Sequence, residues 1–132
     1  MREVKSGQHK AVLTRLIFSI GGFGGPHYEV RWSRGKLTYR TDDSQVKVVP
    51  SAQAWENFWA EMNRIGVWGW RRVYDDGQTL DGCQWEFDLG NGEQSVKCFG
   101  SNQFPGGDDR ETAKPFQEFV AAVARLVGQP FG

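Results

Sequence analysis

Between Tyr28 and Thr41 the chain alternates apolar and polar side chains on both sides of Arg34-Gly35, and that pattern leaves little freedom in how it folds. Tyr28, Val30 and Trp32 fall on one side of an extended segment, Glu29 and Arg31 on the other. A two-residue turn at Arg34-Gly35 then sets Trp32 opposite Leu37, Val30 opposite Tyr39, and Glu29 opposite Arg40. One face stays apolar across both strands and the other gains an ion pair. A slip of one residue would turn every indole and valine to the charged side. The stretch therefore predicts an antiparallel hairpin with one face that something else must cover.

The same signature recurs downstream. Cys83–Leu89 and Glu93–Phe99 flank Asn91-Gly92, a dipeptide favoured where both turn residues need positive φ. A two-residue turn there sets Trp85 opposite Cys98, Phe87 opposite Val96, and Glu86 opposite Lys97. Both cysteines then face the core, as free thiols rather than a disulfide. Ala11–Ile20 is rich in β-branched and aromatic residues and predicts another strand, broken by the run GGFGGP at 21–26. Val46–Val49 predicts a short edge strand that Pro50 ends.

Cover for the apolar face comes from two amphipathic helices. Ser51 caps the first, whose stripe is Trp55, Phe58, Trp59, Met62 and Ile65, and Gly66 stops it. Thr112 caps the second, which tolerates Pro115 in its first turn, carries Phe116, Phe119, Val120, Val123, Leu126 and Val127, and ends at Gly128. Val67–Tyr74 fits neither pattern, because Arg71-Arg72 interrupts the alternation of Trp68 and Trp70. The predicted order is β-β-β-(β)-α-β-β-α. It gives an α+β two-layer sandwich: an antiparallel sheet of five to six strands with two helices on one face. The 132 residues suit one domain, with residues 1–10 as a frayed lead-in.

Sixteen basic and sixteen acidic side chains cancel, which argues against nucleic acid as the main partner. No leader and no membrane-length apolar run is read in the sequence, and two cysteines are too few for a disulfide framework. A cytoplasmic location is the expectation.

Chemistry-bearing patterns are sparse. The only histidines are His9 and His27, and neither has the serine or cysteine and orienting acid that a nucleophile needs. Asp75, Asp76 and Asp81 cluster in one loop and Asp108-Asp109 in another, but the spacing departs from a calcium loop. GGFGGP lacks the spacing and the following helix of a phosphate loop. No motif asks for a cofactor. The excess lies in aromatic rings, six Trp, nine Phe and three Tyr. The stripes and hairpin faces use Trp32, Trp55, Trp59 and Trp85, leaving Trp68 and Trp70 beside Arg71, Arg72 and Tyr74.

The run WENFWAEMNRIGVWGW, followed by Tyr74, DG, Trp85, FGSNQFP and FQEFVAAVARL, resembles small bacterial domains of unassigned activity, over roughly residues 51–127. The resemblance implies a bacterial source. It implies no activity and carries over no functional residue.

The expectation is a non-enzymatic module that binds a protein partner or a small ligand through loops 21–26, 67–82 and 100–110. Phe23, Trp68, Trp70, Tyr74 and Phe104 would supply apolar contact, and Arg71 and Arg72 charge. The alternative is a small hydrolase or lyase using Asp75, Asp81 and Asp108, with or without a metal. An uncovered strand edge would also allow a homodimer.

Overall fold

The computed structural model describes residues 13–22, 26–75, 83–107 and 113–132. Seven strands form one sheet: β1 (Arg15–Gly22), β2 (Tyr28–Ser33), β3 (Lys36–Thr41), β4 (Gln45–Val48), β5 (Val73–Asp75), β6 (Cys83–Gly90) and β7 (Ser95–Ser101). Helix α1 (Ala52–Ile65) and a 3₁₀ turn (Val67–Gly69) lie between β4 and β5, and α2 (Lys114–Val127) follows β7. The spatial order is β4-β3-β2-β1-β6-β7-β5. The α+β class holds, but the expected antiparallel sheet of five to six strands is corrected to a mixed sheet of seven.

The added strand is β5, which pairs with β7 in parallel, Val73 beside Phe99 and Asp75 beside Ser101. It is only three residues long and follows two arginines, so it shows no alternation to read. The β6–β7 hairpin returns the chain to the direction of β5, and the pairing is parallel for that reason.

The first hairpin keeps the register that its pattern dictates, with Glu29 against Arg40, Val30 against Tyr39 and Trp32 against Leu37. Glu29 accepts hydrogen bonds from Arg40 at 2.5 Å and Arg31 at 2.9 Å. Burial alone would raise its carboxyl, but the two guanidinium bonds outweigh that and hold it below the ordinary carboxylate range. The second hairpin corrects the expected register. Phe87 pairs with Cys98, Trp85 with Gly100 and Asp88 with Lys97. Asn91 Oδ1 accepts from the amides of Glu93 (3.0 Å) and Gln94 (2.8 Å), which widens the turn to four residues. The slip is two places along one strand, so every side chain keeps its face.

Both helices cover the same face. Phe18 of β1 meets Phe58 of α1 at 6.1 Å and Phe119 of α2 at 5.2 Å, and Phe87 of β6 meets Phe119 at 4.4 Å. Burying each such ring contributes about 2 kcal/mol relative to leaving it in water. The helices also join at their rims, where Arg64 bridges Glu61 of α1 and Glu118 of α2.

The helix ends follow local chemistry. Ser51 Oγ accepts from the Ala54 amide at 3.1 Å, and Gly66 at φ 82° closes α1 in the left-handed region. Ala113 is the cap residue of α2 and gives no side-chain bond; Thr112, the expected cap, lies outside the described residues.

Candidate functional site

Helical geometry places Trp55 and Trp59 one above the other, displaced around α1 from the buried Phe58 and Met62. Glu61 and Arg64 mark the side of α1 that faces α2, so the two indoles line the flank away from that helix. Gly66 reverses the chain, and the 3₁₀ turn brings Trp68 back along α1. The result is a stack of three half-buried indoles. Trp55 and Trp59 are 6.2 Å apart and 23° from parallel, Trp59 and Trp68 6.4 Å and 14°. The Trp68 Nε1–H donates to Asn63 Oδ1 at 2.8 Å, which fixes the outermost ring.

Trp70, two residues on, has a different job. Its ring packs edge-on against Phe87 at 5.7 Å and Phe119 at 5.5 Å, plugging the space where α2 crosses β6. The ring is half-buried, like that of Trp68, so one side packs against the core while part of it stays in water. Arg71 lies over the Tyr74 ring at 4.5 Å, and its amide donates to the Tyr74 hydroxyl at 3.0 Å. Arg72 is exposed, and its carbonyl accepts from the Phe99 amide at 2.9 Å. Beside it Val73 and Phe99 expose 44% and 47% of their surface, a polar-to-apolar step along the β5 edge.

The expected contact residues therefore separate. Trp68, Trp70, Arg71 and Arg72 reach the surface, within one short segment. Tyr74 and Phe104 do not: at 6% and 5% exposure they are core residues, against Trp85 and Phe116 respectively, which corrects their expected contact role. Phe23 lies outside the described residues. The strand ends adjoining loops 21–26, 76–82 and 101–107 do share one rim, since Gly22 pairs with Cys83 and Ser101 with both Gln84 and Asp75. Residues 67–72 leave that rim and pack beside the helices instead. Trp55 and Trp59, which the sequence pattern assigns to the core, belong to the half-exposed stack. Their offset from Phe58 and Met62 on the helix is the signal that could have found them.

Among the described residues no three His, Cys, Asp or Glu side chains gather as a metal site, and no helix is long and apolar enough to cross a membrane. Asp75 is exposed at the end of β5, while Asp76, Asp81, Asp108 and Asp109 lie outside the described residues, as does His9. His27 is exposed, 3.4 Å from Asp42. Cys83 and Cys98 are not joined by a disulfide. Burial first, then the negative charge of Asp88, pushes the Cys98 thiol up to about 12. It is the wrong state for a nucleophile. The raised value means that the folded chain resists ionising Cys98. That stability is fully present below the ordinary thiol value of 9.0 and is lost as the pH climbs from there towards 12. Titration with a thiol-reactive chromogen at pH 8 is expected to modify Cys83 in the native protein, and Cys98 only after denaturation.

The chain matches no family model, no curated protein and no solved structure.

Proposed function

We propose that this chain is a non-enzymatic binding module, acting in a bacterial cytoplasm, whose partner is another protein. The contact surface runs from the indole stack of Trp55, Trp59 and Trp68 to Arg71 and Arg72. The observation that carries this reading is the stack itself, three large rings kept half out of water on one flank. Tryptophan and arginine are the residues that most often dominate protein contacts, because a ring or a planar guanidinium gives much contact for little lost freedom. Stacking the rings on one another fixes them before binding, which lowers the entropy lost on association. Because neighbouring indoles partly cover each other's faces, the ring edges and the outer faces at the two ends of the stack are what remains for contact. That shape suits a protein surface better than a flat ligand needing an open ring face.

The test is affinity capture from cells of the source, followed by titration of the captured protein. Trp68→Ala is expected to weaken the complex about thirtyfold, the loss typical of a hot-spot ring, while circular dichroism shows an intact fold. An unchanged affinity in Trp68→Ala would contradict the placement.

A further inference from the structure

We infer that the open sheet face, at the end where β2 turns into β3, carries a second binding site, for a small molecule bearing two or more phosphate groups. The site is a concavity of about 380 Å³ lined by Ser33, Arg34, Lys36, Thr38 and Lys47. The strand register builds it. Ser33 sits opposite Lys36, and Thr38 opposite Lys47, so these side chains rise from the same face of neighbouring strands.

Its chemistry is one-sided. It offers three cations and two hydroxyls and no carboxylate. Among the described residues no acid forms an ion pair with Arg34, Lys36 or Lys47, whereas Arg15, Arg31, Arg40, Arg64 and Arg125 all meet acids. The acid on β2, Glu29, already holds both Arg31 and Arg40. Asp42 and Asp43 lie beyond the opposite end of β3. In a chain with equal numbers of acids and bases, this is a local surplus of positive charge with donors beside it. Lysine, arginine and hydroxyl donors converging on one concavity fit the oxygens of phosphate groups.

A second observation points to the same place. Arg34 holds φ at 53° in the tight turn, with Gly35 at 82°. Asparagine fills the first of these positions with little cost, and a long side chain does so only against steric resistance. A residue kept in an unfavourable backbone state commonly marks a site where its side chain is needed. Here that side chain is the guanidinium at the lip of the concavity.

One phosphate would leave part of the charge unmatched, and the volume admits a ligand with two. Two sources share that chemistry, an organic bisphosphate and inorganic polyphosphate. The experiment is a titration of the whole chain at low salt, followed by amide shifts in NMR spectra, with pyrophosphate and with a sugar bisphosphate as probes. Both are expected to move the amides of residues 33–38 and 45–48. The stronger binder of the two identifies the source. The double variant Lys36→Gln/Lys47→Gln is expected to weaken pyrophosphate binding about tenfold or more, and Arg34→Asn to weaken it while raising the melting temperature. Lys97→Gln/Lys114→Gln removes the same charge elsewhere and is expected to change little. Shifts that spread equally over Lys97 and Lys114, or equal losses in the two double variants, would reduce the effect to general charge and overturn the site. Absence of any shift at millimolar pyrophosphate would overturn it too.

Discussion

Trp70→Ala is expected to lose about 3 kcal/mol of folding stability, whereas Trp68→Ala loses about 1 kcal/mol. The two residues are close in sequence and share a type, so the difference isolates their surroundings. Trp70 fills the gap between Phe87 and Phe119, two of the rings that join β6 to α2. Trp70 is itself half-buried, but removing it opens a gap between a sheet and a helix, and neither can collapse inward cheaply. Trp68 rests on Trp59, itself half-buried, and gives up one hydrogen bond to the exposed Asn63. Water fills its place. Urea unfolding of the two variants measures the contrast directly, and equal midpoints would show that the segment packs otherwise.

Gly100→Ala is expected to cost about 3 kcal/mol, at the upper end of what overpacking by one methyl does. Gly100 faces the core across from Trp85. A β-carbon there would run into Nε1 and Cε2 of that indole and lie 2.7 Å from the Gln103 carbonyl oxygen. The ring cannot swing away freely, because Nε1 donates to that same Gln103 carbonyl at 2.9 Å and the ring packs against Phe116 at 5.0 Å. The clash is therefore with a fixed group rather than with the free end of a side chain. The measurement is the melting temperature of Gly100→Ala beside that of Gly69→Ala, whose new β-carbon meets nothing within 4 Å. A drop confined to Gly100→Ala supports the packing, and equal values would contradict it.

Periodicity reveals most of the frame. The β2–β3 register follows from Trp32, Val30 and Glu29, because only one pairing keeps their faces consistent, and the first helix follows from its stripe between Ser51 and Gly66. The β6–β7 register is less legible. Asn91-Gly92 has the composition of a two-residue turn, and only the hydrogen bonds of the Asn91 side chain reveal the wider one. β5 is invisible in the sequence, since three residues after a pair of arginines give no alternation, and its partner β7 is distant along the chain.

The site is harder to read for a related reason. Trp68 and Arg72 are recoverable because nothing in their local pattern uses them. Tyr74 and Phe104 carry the same local signal, yet tertiary contacts with Trp85 and Phe116 bury them. The parts that escape sequence reading are Trp55 and Trp59. A helical stripe shows which side of a helix is apolar but not where on that side its neighbours stop covering it. The basic concavity escapes for the same reason, since Ser33, Lys36 and Lys47 converge only once three strands are in register.

Photocrosslinking in living cells tests most directly whether the indole flank is a working surface. A photoreactive amino acid is placed at the exposed Glu56, one turn before Trp59 on α1, and separately at the exposed Ala121 on α2. The expected result is one discrete adduct from position 56, absent from position 121 and lost when Trp68→Ala is added. No adduct from position 56, or an adduct from it that persists in Trp68→Ala, would contradict a partner seated on the stack.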